Sequence, residues 1–164
     1  MKLGGFQLFA YKRGSRFLPP LWLRPWESAS GVDIGGTKIL AGIVNDQGEI
    51  LAKVRKKTPR SDASSILEVV AQVIAETISQ VDEEIIGIGV GVAGPVDAGS
   101  TTVLYAPNLQ WADVPVATLL EKSTGLPVLV ENDGNAAAWG EARFGGGKGF
   151  DDVVAVTIGT GIGG

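Results

Sequence analysis

Two aspartates that follow strand-like segments are the side chains of this sequence best placed to do chemistry. One of them, Asp133, lies where the apolar run 127–130 meets the alanine-rich, helix-favouring segment 136–143. A residue there occupies the carboxyl edge of a sheet and the amino end of a helix, where α/β folds bind their ligands. The helix dipole favours the ionised carboxylate, which can accept a proton. The alternative is that Asp133 only caps the helix.

The other aspartate, Asp33, ends a strand just before Gly35-Gly36-Thr37-Lys38. Glycines at a turn tolerate positive φ and leave N–H groups accessible, so this turn can hold phosphate together with Thr37 and Lys38. An unpaired carboxylate at the strand end is costly, and we expect Asp33 to face Mg²⁺ through water. A Walker P-loop has Ser or Thr after its Lys and a helix after the loop, and neither is present here. An ordinary Gly-Gly hairpin is the alternative.

A second glycine-rich turn, at 159–164, follows the apolar segment Asp152–Ile158. It satisfies the GxGxxG pattern of dinucleotide-binding folds, but the helix and acidic residue that complete that pattern would lie beyond Gly164. A dinucleotide fingerprint also usually opens its domain, whereas this turn follows a whole series of predicted strands and helices. We therefore disfavour a dinucleotide site. The glycine run 145–149 is interpreted as a hinge-like connection.

The composition limits which chemistry is available. The chain has 164 residues, of which 45% are hydrophobic and 24 are glycine, and this predicts one globular domain with many tight turns. It contains no Cys and no His, which excludes disulfides, the usual zinc sites and Ser-His or Cys-His catalysis within these residues. Acid–base work therefore falls to carboxylates, Lys or Tyr. No apolar run approaches the roughly 18 residues of a membrane span, so we expect no membrane partner.

The net charge of −4 is unevenly distributed, with +4 in residues 1–30 and −8 in the rest. This balance disfavours nucleic-acid binding by the main body. The first 30 residues also hold six of the eleven aromatic residues, without a sustained helical or alternating pattern. We interpret 1–30 as an atypical basic, aromatic extension that is disordered, with a boundary near Ser30. Targeting and partner docking are the alternatives for it.

From residue 31 onward, the pattern predicts the order βββαβαβα followed by a new strand. Strands are predicted at 31–34, 38–44, 49–57, 85–92, 127–130 and 152–158. The first helix covers apolar residues from Ile66 to Ile78 and is capped by Ser61 or Asp62. The second is a short helix that is capped by Asp113 and closes near Gly125, and the third follows Asp133.

A three-stranded meander followed by βα units forms a mixed sheet with helices on its faces. This α/β layout is that of a ribonuclease H-like, actin-like ATPase lobe. We therefore predict such a lobe over residues 31–150 and the start of a second, incomplete lobe over 151–164.

Five motifs together resemble the amino-terminal half of ROK-family sugar kinases, bacterial glucokinases in particular. They lie at 32–38, 93–97, 106–111, 130–141 and 157–164, in the order and spacing of that family. The resemblance implies cytoplasmic, ATP-dependent phosphorylation of a hexose, most often at its 6-OH, by a homo-oligomeric enzyme of carbohydrate metabolism and glycolysis. Its partners would be a small-molecule sugar and a nucleotide, with ATP and Mg²⁺ as cofactors.

The resemblance also assigns roles to individual residues. Asp133 matches the catalytic base and Asn132 a sugar-hydroxyl ligand, while Asn108 and Gly94 belong to the sugar site. Asp33 matches the residue that faces the metal. The phosphate-holding turns contain Gly35, Gly36, Thr37, Lys38, Thr160 and Gly161. Phosphoryl transfer can use a base as weak as aspartate, because in a loose transition state the proton leaves late.

Other features of the family lie outside this sequence or differ from it. The family's further sugar-binding Glu and His, its adenine-binding region and its Cys/His zinc cluster correspond to sequence beyond Gly164. Zinc is therefore expected only there, and we expect the 164 residues alone to be inactive. The polar run 27–30 replaces an apolar run of the family, which predicts a frayed or shortened first strand.

Three functional alternatives remain open. A sugar-responsive ROK transcriptional regulator needs a winged helix-turn-helix ahead of the kinase-like body, and residues 1–30 lack helical periodicity. Regulators also often lose catalytic residues, whereas Asp33 and Asp133 are both present. An N-acetylmannosamine kinase is the alternative enzyme, and polyphosphate is the alternative phosphoryl donor.

Overall fold

The computed structural model describes residues 28–158 and 162–163. A five-stranded mixed sheet lies at its centre and contains β1 (Ser28–Ile34), β2 (Lys38–Val44), β3 (Ile50–Lys57), β4 (Ile85–Val92) and β7 (Val128–Asn132). The strands lie in the order β3-β2-β1-β4-β7. The first three form an antiparallel meander, and β4 and β7 run parallel to β1. The predicted ribonuclease H-like, actin-like lobe is thereby confirmed.

The helices of the described residues are α1 (Ala63–Ile78), α2 (Val116–Thr124) and α3 (Asp133–Phe144). Helix α1 packs on the meander and on α2, which in turn packs on β7. Their apolar faces and the facing side of the sheet form one core, as the helical spacing of the apolar residues predicts. Asp62 is the cap of α1, since its carboxylate accepts a hydrogen bond from the N–H of Ser65 at 2.8 Å. Helix α3 contacts β4 and β7 but has no buried residue.

A short hairpin lies between β4 and α2, where the sequence analysis predicted no strand. Strands β5 (Val103–Ala106) and β6 (Trp111–Val114) pair antiparallel around a 3₁₀ turn, Pro107–Leu109. Asp113 lies within β6 with φ of 51°, so the prediction that it caps α2 is wrong. Pairing of the neighbouring Val114 with Val103 holds Asp113 in the hairpin, and Pro115 occupies the cap. The predicted end of α2 at Gly125, which has φ of 73°, is confirmed.

Strand β1 begins at Ser28, inside the segment that was assigned to the extension and predicted to fray. Ser28 and Ser30 are each only 1% exposed. These polar residues can extend the strand because β2 and β4 flank it and bond its backbone on both sides. The rest of the extension, residues 1–27, lies outside the described residues.

The segment after α3 contains a shorter strand than predicted. Of the predicted strand Asp152–Ile158, only β8 (Thr157–Ile158) is a strand, and it pairs with β9 (Ile162–Gly163). Residues 153–156 have no neighbouring strand in the described part of the chain, and Val154 is 91% exposed. The glycine run 145–149 folds back on α3, where the N–H groups of Gly145 and Gly147 both donate to the carbonyl of Glu141 at 3.0 Å.

No helix within residues 28–158 is long and apolar enough to cross a membrane.

The two buried serines of β1 differ in their hydrogen bonding, and this difference can be tested by mutation. The Ser30 hydroxyl has no hydrogen-bond partner, whereas the Ser28 hydroxyl lies 3.4 Å from Oε2 of Glu83. Because an unpaired buried hydroxyl is destabilising, Ser30→Ala is expected to raise the free energy of unfolding by about 1 kcal/mol in urea denaturation.

Ser28→Ala is the matched control, and we expect it to lower the free energy of unfolding by at most about 0.5–1.5 kcal/mol. Equal losses of stability in both variants would contradict the assignment of an unpaired hydroxyl to Ser30.

Candidate active site

The predicted site residues converge because three parallel strands end at the same level of the sheet. Ile34 of β1 pairs with Val92 of β4, and Val92 pairs with Asn132 of β7. The turn at 35–37, the loop that begins at residue 93 and the start of α3 therefore leave the sheet side by side. This common edge is a natural ligand site in an α/β fold.

Asp33 and Asp133 face each other across Gly91. Asp33 pairs in register with Gly91, and a Cβ atom placed on Gly91 would lie 3.7 Å from Cα of Asp133. Burial raises the pKa of Asp33, nearby Lys38 lowers it in part, and the negative charge of Asp133 raises it further. Asp133 itself is exposed. The charge of Asp133 thus acts on Asp33, as expected for like charges brought close together.

Thr58 holds the glycine turn after β1 by two hydrogen bonds. The sequence analysis did not identify Thr58. Its hydroxyl donates to the carbonyl of Gly35 at 2.6 Å, and its N–H donates to the carbonyl of Thr37 at 3.1 Å. Within the described residues, the N–H groups of Gly36 and Thr37 have no hydrogen-bond acceptor, and both residues are exposed. The turn therefore presents free donors of the kind that bind phosphate oxygens.

The reason for glycine in this turn differs from the predicted one. Neither Gly35 nor Gly36 has positive φ, so the turn is not the Gly-Gly hairpin of mirror-image type and does not need glycine for its backbone conformation. A Cβ atom on Gly36 would instead lie 2.9 Å from the carbonyl oxygen of Asn108, closer than real Cβ contacts allow. Glycine is required at position 36 because Asn108 approaches it closely. This contact joins the predicted phosphate turn to the predicted sugar site.

Asn132, rather than Asp133, caps α3. Its Oδ1 accepts hydrogen bonds from the N–H groups of Gly134 at 2.9 Å and Asn135 at 3.2 Å. Its Nδ2 donates to the carbonyl of Gly94 at 3.2 Å, which fixes the loop after β4. A side-chain amide carries two N–H donors, so one donor is left for a ligand. The alternative that Asp133 is only a cap is therefore wrong.

Asp97 is a further residue that the sequence analysis passed over. Its carboxylate accepts from the N–H groups of Gly99, Thr101 and Thr102 and from the hydroxyl of Thr101, at 2.6–3.2 Å. Burial acts to raise its pKa, but these hydrogen bonds prevail and lower it. The sequence signal was the run Asp-Ala-Gly-Ser-Thr-Thr, which is typical of an aspartate-stabilised turn. Asp97 shapes the loop that carries Gly94.

The remaining predicted site residues are Lys38, Thr160 and Gly161. Thr160 and Gly161, assigned to a second phosphate turn, are outside the described residues. Lys38 is exposed at the start of β2, close enough to influence Asp33. Within the described residues no cluster of three or more His, Cys, Asp or Glu could hold a metal ion. Asp33 and Asp133 offer carboxylate oxygens to a cation, which would relieve the repulsion between them.

Comparison with known proteins places this geometry in context. The sequence model described as the ROK family matches residues 29–164. A glucokinase from Streptomyces coelicolor is 47% identical over 134 residues, which are 82% of this chain and 41% of that protein. A putative xylose repressor from a Caldicellulosiruptor species is 38% identical over 137 residues, which are 81% of this chain and 34% of the repressor.

Solved structures agree with the fold. The crystal structure of a ROK family glucokinase from Streptomyces griseus in complex with glucose and AMPPNP superimposes with a TM-score of 0.77 at 46% identity. The match covers 83% of this chain and 43% of the other. The chain thus spans about two fifths of the length of the glucokinases that it matches.

The closeness of the two aspartates can be tested by titration. In Asp133→Asn the pKa of Asp33 is expected to fall, because a neighbouring negative charge is removed, and in Lys38→Gln it is expected to rise. Carbon-detected NMR of the carboxyl groups follows both changes in the purified chain.

Asp46→Asn is the control for this titration, since Asp46 is exposed in the β2–β3 turn at the opposite end of the sheet. The pKa of Asp33 should not change in that variant. If Asp133→Asn also leaves it unchanged, the two carboxylates do not share a site.

Proposed function

Because the chain belongs to the ROK family, we propose that it forms the sugar- and phosphate-binding lobe of an ATP-dependent hexose kinase of the glucokinase type. The observation that carries the proposal is the meeting of Asp33, the Gly35–Lys38 turn and Asp133 at one sheet edge. Glucokinases are among the relatives with the highest identity to the chain.

Asp133 is the proposed general base. Its Oδ1 accepts from the N–H of Gly134 at 2.9 Å, while no donor among the described residues contacts its other oxygen. The carboxylate is exposed at the open edge of the lobe, so a sugar hydroxyl can reach it. Phosphoryl transfer depends mainly on positioning and charge neutralisation, and a carboxylate that accepts the hydroxyl proton late in the reaction is sufficient.

The residues around Asp133 are proposed to orient the sugar. Asn132 keeps one amide N–H for a sugar hydroxyl, because its other polar contacts are made with α3 and Gly94. Asn108 is exposed at the tip of the β5–β6 hairpin. The loop at Gly94 is hydrogen-bonded to Asn132 and lies against Tyr105 of β5, in the hairpin that carries Asn108. Together they form a polar rim on one side of the base.

The donor is proposed to lie on the other side, with its phosphates on the N–H groups of the Gly35–Lys38 turn and with Lys38 near their charge. Thr160 and Gly161 are proposed to contribute to a second phosphate turn. Asp33 would face Mg²⁺ through water, since burial and Asp133 make its negative charge costly without a cation. When bound, Mg²⁺ neutralises charge that develops on the phosphate oxygens. ATP is the proposed donor, and polyphosphate is the alternative.

A sugar-responsive transcriptional regulator is the second candidate, because a xylose repressor from Caldicellulosiruptor bescii is 32% identical to the chain over 140 residues. The presence of both Asp33 and Asp133 supports the kinase instead. A mobility-shift assay with genomic DNA fragments separates the two functions. An N-acetylmannosamine kinase is also among the relatives, and comparison of turnover on glucose and N-acetylmannosamine distinguishes the two enzymes. Cytoplasmic location, a homo-oligomer and the absence of nucleic-acid binding stay predictions.

The role of Asp133 can be measured in a complete kinase that carries this lobe. Such an enzyme, referred to below as the chimera, has residues 29–164 in place of the matching residues of the Streptomyces coelicolor glucokinase. Asp133→Asn should lower kcat by at least about 10²-fold, because it removes the proton acceptor. Coupled measurement of ADP release gives the rate.

Asp46→Asn makes the same chemical change far from the site and should retain the parent kcat. Circular dichroism of each variant controls for folding. Turnover near the parent rate in folded Asp133→Asn would exclude Asp133 as the base.

A separate prediction concerns the chain of 164 residues by itself. It spans about two fifths of the matched glucokinases, and the family resemblance assigns the adenine-binding region to the remainder. We expect the purified chain to show no turnover of glucose or N-acetylmannosamine above the rate without enzyme in the same coupled assay. A rate that disappears in Asp133→Asn would show that this lobe suffices.

A further inference from the structure

The phosphate turn and the β5–β6 hairpin are in direct contact. A Cβ atom on Gly36 would lie 2.9 Å from the carbonyl oxygen and 3.3 Å from Cβ of Asn108. The two backbones therefore already touch, with no side chain between them. Any shift of the turn toward the hairpin must move Asn108, because packed atoms do not interpenetrate.

The turn is also anchored by hydrogen bonds to Thr58. Thr58 directly follows β3 and donates hydrogen bonds to the carbonyls of Gly35 and Thr37. Gly35 also donates its N–H to the carbonyl of Lys38 at 2.9 Å, which closes the turn. The position of Gly36 is therefore set by Thr58 and, when a donor is bound, by the phosphate on the free N–H groups of Gly36 and Thr37.

The hairpin is anchored at its other side by the sugar-binding residues. A Cβ atom on Gly94 would overlap the carbonyl oxygen of Tyr105 in β5, so the Gly94 loop and the hairpin are also in backbone contact. Asn132 in turn holds the carbonyl of Gly94. Asn108 thus lies between the phosphate turn and the strand–helix joint that carries Asp133.

We propose that the contact between Gly36 and Asn108 couples the binding of the phosphoryl donor to the binding of the sugar, with Thr58 as a positioning residue for both. This inference rests on the proposed kinase function and extends it. Phosphate on the turn fixes Gly36, which fixes Asn108 in the position that binds the sugar. By linkage, bound sugar raises the affinity for the donor by the same factor.

The coupling is measured by calorimetry in the chimera, as the ratio of the glucose Kd without AMPPNP to the glucose Kd with saturating AMPPNP. We expect a ratio of about 5 or more, the lower end of typical coupling between sites. Thr58→Val removes the hydroxyl that holds the turn, and its ratio should fall toward 1. Thr58→Ser keeps the hydroxyl and should restore the parent ratio.

Two further variants complete the design. Gly36→Ala presses directly on Asn108 and should weaken glucose binding by about 5-fold even without AMPPNP. Thr77→Val is the matched control, because the Thr77 hydroxyl donates to the carbonyl of Val73 at the same length of 2.6 Å, within α1. It should leave the ratio unchanged.

The outcomes separate this inference from the proposed function. A ratio of 1 in the parent chimera, a parental ratio in Thr58→Val, or an unchanged glucose Kd in Gly36→Ala overturns the coupling. A chimera that binds both ligands with coupling but has no turnover supports the inference and refutes the assigned catalysis. A folded chimera that binds neither ligand overturns both.

Discussion

The site depends on the register of three parallel strands that end together. Ile34, Val92 and Val130 are almost completely buried, and their packing against α1 and α2 determines which face of each strand points inward. A slip by one residue would turn each apolar side chain outward, so the core strongly specifies the register. With that register, Asp33 and Asp133 meet across Gly91. The hydrophobic core thereby determines how close the Asp33 and Asp133 carboxylates lie.

The buried Asp33 carboxylate near Asp133 lowers the stability of the fold, as charged residues of a ligand site often do. The pKa of Asp33 is raised in the folded state. Its favourable contribution to the free energy of unfolding is therefore present below the unfolded-state pKa and is lost as the pH rises through the folded-state pKa. Above that folded-state pKa the ionised Asp33 carboxylate therefore reduces the free energy of unfolding, chiefly because it is buried. Helix α3 adds little compensation, since none of its residues is buried. Asp97 acts in the opposite direction, because its pKa is lowered and its hydrogen bonds stabilise the folded loop above the unfolded pKa.

The β5–β6 hairpin places a polar residue beside the glycine turn at the edge of the sheet. It packs into the core through Val103 and Trp111, which are 0% and 2% exposed, and it presents Asn108 to the phosphate turn. A firmly anchored stem with an exposed tip places a polar side chain at a ligand site with little conformational freedom. The glycine turn after β1 and the Gly94 loop are consequently joined through the hairpin by close backbone contacts.

The amino-acid sequence by itself determined the order of the main strands and helices, the mixed sheet, and the candidate roles of Asp33, Asp133 and the Gly35–Lys38 turn. It could do so because apolar periodicity and turn chemistry are local properties of the chain. Contacts between distant segments decided the rest. Only pairing with β4 extends β1 to Ser28, and only the close approach of Asn108 explains Gly36. The cap of α3 is Asn132, whose amide also reaches Gly94, 38 positions away in the chain. Such contacts depend on where the sheet places each segment, and no local pattern encodes that position.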